Sequence, residues 1–161
     1  MLTSNSSTII LLAKISLLSK LLDEVKNIAI TNVVHEEVLN KDSFENLIIK
    51  KEISQRRIKI DFIKEKFYAN AIKQFKIDKG EASTFALCAN KKYEGILTDD
   101  RELIKLCKIQ EIKFTSSMAI VVILYKKKKI NKKGALEKME QLQGYGMFSS
   151  DIYNYFKNMV N

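Results

Sequence analysis

Five short apolar runs, each followed by a stretch of helical spacing, constrain the fold of this chain more than any other feature. Parallel strands can be joined only through long crossovers, usually helices, so this alternation implies an α/β domain with a mainly parallel sheet. The runs are residues 1–4, Asn27–Ile30, Arg57–Phe62, Gly95–Thr98 and Ile112–Thr115. After the first, Asn5-Ser6-Ser7-Thr8 reads as a turn and helix cap. Ile9, Ile10, Leu12, Ala13, Ile15, Leu17, Leu18, Leu21 and Leu22 then recur at helical spacing, with one break near Ser16. Thr31 and Asn32 open a short helix over Val33–Leu39. Residues 42–55 and 63–76 are helical in pattern, and Asp78-Lys79-Gly80 is a turn. Glu81–Lys91, Asp100–Lys108 and Ser116–Tyr125 complete the helices of a sheet-bearing core, residues 1–125.

The lysine run Lys126–Lys129, with Lys132 and Lys133, marks a shift in composition. It opens a helical C-terminal appendage, residues 126–161, with helices near 133–143 and 149–159. A chain of 161 residues fits one domain. At 46% hydrophobic it is not globally disordered. No apolar run approaches the roughly 20 residues of a membrane helix. Ile9–Ala13 stops at Lys14 without a basic stretch before it, so no signal peptide is expected. Cys88 and Cys107 have apolar neighbours and form neither a disulfide framework nor a zinc motif. They read as core thiols and fit a cytoplasmic protein.

Lysine and arginine total 28 against 19 acids, a formal net charge of +9. Such an excess points to a polyanionic partner, above all nucleic acid, although a solvated lysine surface has the same composition. Lys126, Lys127, Lys128 and Lys129 are the candidate phosphate contacts, or a run that snorkels at a helix end. Tyr145, Phe148, Tyr153, Tyr155 and Phe156 offer rings for base stacking, or a core or dimer contact for the tail. Gly144-Tyr145-Gly146 follows no strand and is no phosphate loop. His35, the only histidine, lies off the apolar face of its helix, which removes the base that a nucleophile pair needs.

Several oxygen-bearing side chains at element ends have capping or pairing as a plain reading one by one, Asn5 and Ser7 as an N-cap among them, and point to a shared site only as a set. On the helix after Thr31, Val33, Val34 and Val38 define the apolar arc, and Glu37 falls inside it. A carboxylate there needs a lysine or a cation. Glu81 lies at the margin of the arc Ala82, Phe85, Ala86 and Ala89, and Asp78-x-x-Glu81 has capping-box spacing. Asp99 and Asp100 close the strand ending Leu97-Thr98, where open α/β sheets place their sites. Asp99 with Glu102 could cap the next helix, but one acid suffices for that. Asn5 and Ser7 follow the first strand directly. Converging at one sheet edge, these groups make an oxygen-rich pocket that selects Mg²⁺ or Mn²⁺ over zinc. Lysines around such a pocket suit a nuclease, in which the metal activates water and stabilises the leaving oxygen.

The order and spacing of Ser4–Ile15, Val34-His35-Glu36-Glu37-Val38, Asp78-Lys79-Gly80-Glu81-Ala82, Ile96-Leu97-Thr98-Asp99-Asp100 and Phe114-Thr115-Ser116 resemble the PIN domain. The likeness is to small prokaryotic toxins of the VapC kind and covers nearly the whole chain. It implies a three-layer α/β/α sandwich and a metal-dependent ribonuclease, with RNA as substrate and a small antitoxin as partner. It also implies a homodimer. Asn5, Glu37, Glu81 and Asp100 would hold the metal, with Glu37, Glu81, Asp99 and Asp100 catalytic and Ser7 and Thr98 supporting. Asn5 stands where the family usually has its first metal-binding aspartate. An amide oxygen still ligates a cation, but less tightly. The alternatives are a PIN-fold binding module that has lost catalysis and an interaction protein acting through its aromatic tail.

Overall fold

The computed structural model describes residues 1–146 and 148–161. Among these residues, five strands form one sheet: β1 (Leu2–Ser4), β2 (Ile28–Thr31), β3 (Ile58–Asp61), β4 (Gly95–Leu97) and β5 (Phe114–Thr115). Their order is β3-β2-β1-β4-β5, and every neighbouring pair is parallel. The helices are α1 (Ser6–Lys14), α2 (Leu18–Val25), α3 (Asn32–Leu39), α4 (Phe44–Ser54), α5 (Ala69–Gln74), α6 (Lys79–Leu87), α7 (Arg101–Ile109), α8 (Ser117–Lys126), α9 (Lys132–Gly144) and α10 (Ser150–Asn158).

Alternation along the central strands divides the core between the two faces of the sheet. Ile28, Ile30, Ile58 and Leu97 join one buried cluster with residues of α1, α2, α4 and α8. Ala29 and Ile96 join the other, with Ala82, Leu87, Leu103 and Leu106 from α6 and α7. The result is an α/β/α sandwich. The C-terminal segment packs into the first cluster, where Ala135, Met139, Leu142 and Val160 are buried. Cys88 and Cys107 are buried free thiols, and burial pushes Cys107 up to about 12.

Local departures from the sequence pattern have local causes. The first helical stretch breaks at Ser16, which adopts φ 60°, so α1 and α2 are separate helices. Residues 63–76 do not form one helix. A 3₁₀ turn over Glu65–Phe67 precedes the short α5. Gly80 belongs to a helix, because Asp78 caps α6 and places Lys79 and Gly80 in its first turn. Among the described residues, no helix is long and apolar enough to cross a membrane.

Candidate active site

The strand order reverses between β1 and β4, and in open α/β sheets the crevice beyond such a reversal is where ligands bind. Asn5 follows β1, and Thr98, Asp99 and Asp100 follow β4. A cavity of about 530 Å³ opens there, lined by Asn5, Ser6, Ser7, Glu37, Asn40, Lys41, Asp78 and Glu81.

Asn5 occupies the cap position of α1, but its side chain does not cap the helix. Its Nδ2 donates to Ser7 Oγ at 3.1 Å. Its Oδ1 is buried without a hydrogen-bond partner. A buried orphan acceptor is rare in folded proteins and marks a place where a donor or a cation fits.

Thr31 places Glu37. Its hydroxyl accepts from Val34 N–H at 3.1 Å, capping α3, and meets Ser83 Oγ of α6 at 2.8 Å. Ser6 then donates to Glu37 Oε2, and the Gly80 N–H also donates to this carboxylate. Gly80 matters through what it lacks. A Cβ there would lie 2.8 Å from Glu37 Oε2 and 2.9 Å from Cδ. Burial raises the Glu37 pKa, and Asp78 adds to the rise, while Ser6 and Lys41 oppose it.

Glu81 forms the capping box with Asp78. Asp78 N–H donates to Glu81 Oε2 at 2.9 Å, and Glu81 N–H donates to Asp78 Oδ1 at 2.8 Å. Burial, together with the carboxylates of Asp78, Asp100 and Glu37, pushes Glu81 up to about 7. The charges of Asp78, Asp100 and Glu37 thus oppose that of Glu81, partly offset by the positive N-termini of α1 and α6.

The paired aspartates diverge. Asp100, not Asp99, caps α7, accepting from Leu103 N–H at 2.7 Å. Thr98 Oγ1 fixes Asp100 by accepting its N–H at 3.1 Å. Successive residues at a strand end point to opposite sides, so Asp99 turns away from the acidic cavity. Its Oδ1 accepts from Ser117 N–H of α8 at 2.8 Å, and its own N–H donates to Thr8 Oγ1 at 2.9 Å. Burial raises its pKa. Asp99 lines a separate apolar groove with Phe114, Phe148 and Tyr155.

Lys126–Lys129 lie elsewhere. A helix that follows a parallel strand starts at the strand's C-terminal edge and runs back, so the end of α8 sits at the opposite edge of the sheet from the cavity. There Lys127 and Lys129 pair with Glu24 of α2 at 3.0 and 2.9 Å. In the aromatic tail, Phe148 is buried, whereas Tyr145 and Tyr155 are exposed.

Sequence reasoning missed Ser6, Lys41 and Gly80. The readable signal for Gly80 was a glycine within the first turn of a capped helix, a position that favours other residues. Carboxylates, hydroxyls and amides line the acidic cavity, with Lys41 beside them and neither His nor Cys among them, and with the unspent Asn5 Oδ1 these oxygens fit a hard divalent cation in kind. The carboxylates are held by Ser6 and by backbone N–H groups. Among the described residues, no three His, Cys, Asp or Glu side chains come together as a group that could hold a metal ion.

A parallel sheet with acids gathered at its strand reversal defines an α/β domain with an acidic site. The chain belongs to the PIN-domain family: the model of DUF3368, a PIN domain, matches residues 1–160. PIN domains are generally nucleases and generally use divalent metal ions. No curated protein and no solved structure matched the chain.

Proposed function

We propose that this protein is an Mg²⁺- or Mn²⁺-dependent endoribonuclease, and that it serves as the toxin of a toxin–antitoxin pair in the cytoplasm. The observation that supports the enzyme is the acidic cavity at the strand reversal, lined by Asn5, Glu37 and Glu81, with Asp100 near enough to raise the Glu81 pKa and the buried Asn5 Oδ1 left without a partner. A divalent cation, when bound, supplies Lewis acidity toward phosphoryl oxygens and lowers the pKa of water. Asn5, Glu37, Glu81 and Asp100 would hold it. Ser6 and the Gly80 N–H orient Glu37, Ser7 orients Asn5, and Thr98 orients Asp100. Lys41 is the cation at the rim of the cavity and is placed to meet a phosphate. The toxin role rests on the family likeness, as do the antitoxin partner and the homodimer.

The test is incubation of the purified protein with structured RNA in Mn²⁺, in Mg²⁺ and in EDTA, beside Asp100→Asn. Asparagine caps helices as well as aspartate does, so this variant removes charge and keeps α7. Metal-dependent cleavage that the variant lacks supports the enzyme. Asn5 favours a second reading, a PIN-fold module that binds RNA without cutting it. RNA binding with no turnover in either metal would select that reading. Growth arrest on expression, relieved by a co-expressed neighbouring gene product, tests the toxin role.

A further inference from the structure

Phe62 and Phe67 are 73% and 57% exposed, although phenylalanine ordinarily belongs to cores. Both line one hollow of about 330 Å³ beyond the end of β3, together with Lys64, Lys66, Leu87 and Asn90. β3 is an edge strand, paired only with β2. Lys66 Nζ lies 5.1 Å from the centre of the Phe67 ring.

The hollow is tied to the candidate active site from two sides. Ile63 N–H donates to Asn32 Oδ1 at 2.8 Å, and Asn32 is the first residue of α3, the helix of Glu37. Leu87 lies on α6, six residues from Glu81 and so about 9 Å along the helix axis. The hollow and the Glu81 end of the candidate site therefore share α6 as a common wall.

We propose that Phe62, Phe67, Lys64 and Lys66 form a subsite for single-stranded RNA, with bases stacked on the rings and phosphates held by the lysines. Exposed rings interleaved with cations are what sequence-tolerant single-strand binding uses. Charge selects this occupant over a second copy of the chain. Lys59, Lys64 and Lys66 outnumber Asp61 and Glu65 in the segment, so self-association would oppose lysine to lysine. Asn90 offers an amide to a base edge.

The proposal rests on RNA as the substrate, and binding in EDTA separates it from turnover. Fluorescence anisotropy of a labelled single-stranded RNA oligonucleotide would be followed in EDTA over a series of salt concentrations. Phe62→Ala and Phe67→Ala are each expected to weaken binding about five- to a hundredfold, with Phe62→Trp close to wild type. Lys64→Ala with Lys66→Ala should lower the salt slope by about 1.4. Both rings are exposed, so circular dichroism should show the alanine variants folded.

Unchanged affinity in the phenylalanine variants overturns the subsite. So does a wild-type protein that binds no RNA. A concentration-dependent dimer, seen by sedimentation and lost in Phe62→Ala, would also overturn it in favour of a copy of this chain. Binding through the rings without metal-dependent cleavage would uphold the subsite and reject the nuclease.

Discussion

Glu81→Gln should stabilise the metal-free protein above neutral pH and blunt its response to divalent cations. Glutamine keeps the side-chain oxygen that accepts from Asp78 N–H, so the capping box survives while the charge disappears. The charge is costly because burial and three neighbouring carboxylates push Glu81 from 4.5 up to about 7. Below pH 4.5 this group is protonated both folded and unfolded, and it contributes nothing. As pH rises toward 7 the unfolded chain releases its proton first, so the folded state loses stability through that window. At full ionisation the loss would be about 3 kcal/mol. Solvent at the cavity mouth screens it, leaving about 1–2 kcal/mol. Urea unfolding of both proteins in EDTA, at pH 4 and pH 8, reads this directly. The variant should match wild type at the lower pH and exceed it at the higher. Adding Mg²⁺ or Mn²⁺ at a hundred times its Kd should return about 2.7 kcal/mol to wild type and much less to the variant. Equal stability differences at both pH values, or wild type the more stable at pH 8 in EDTA, would refute the reasoning.

Three further substitutions probe single contacts. Gly80→Ala replaces a helical glycine, worth up to about 1 kcal/mol, but its Cβ must displace the flexible Glu37 carboxylate. Stability by urea unfolding should stay within about 1 kcal/mol of wild type while metal-dependent cleavage falls at least about tenfold; unchanged cleavage would mean that Glu37 does not act from that place. Asn5→Asp adds a carboxylate at a site only 2% exposed. Calorimetry should show tighter Mn²⁺ binding, and unfolding in EDTA a loss of about 1–2 kcal/mol. Asp99→Ala strands the Ser117 N–H of α8 and should cost about 1–3 kcal/mol by chemical denaturation, whereas Asp99→Asn keeps an acceptor and should cost little.

The strands were readable because a buried parallel strand is a short apolar run between capping residues, and each such run recovers its strand to within a residue or two. The break at Ser16 was readable from the interrupted spacing. Residues 63–76 were not, because helical spacing alone does not show that Phe67 faces solvent. The divergence of Asp99 and Asp100 was equally hidden. Adjacent acids look alike in sequence, and only the tertiary position of α8 decides which one meets the Ser117 N–H. Glu37 was legible as an acid on an apolar arc, but its holders Ser6 and Gly80 come from segments 31 or more residues away in the chain. The lysine run was visible as charge, whereas its pairing with Glu24 required the fold.

The first strand lies in the middle of the sheet, and this has a consequence for how the molecule comes into being. Ser4 Oγ donates to the Leu97 carbonyl across 93 residues of chain. Closing so long a loop is an entropic cost that precedes any reward from the contact, and such pairings form slowly. The proposed ligand residues stand on both sides of that junction, with Asn5 after β1 and Asp100 after β4. A completed chain whose β4 has not yet paired with β1, or has come loose from it, therefore holds every ligand residue without holding a site. Under the proposed function, an incompletely folded or partly unfolded copy leaves RNA intact, and the chemistry switches on only with the last long-range pairing.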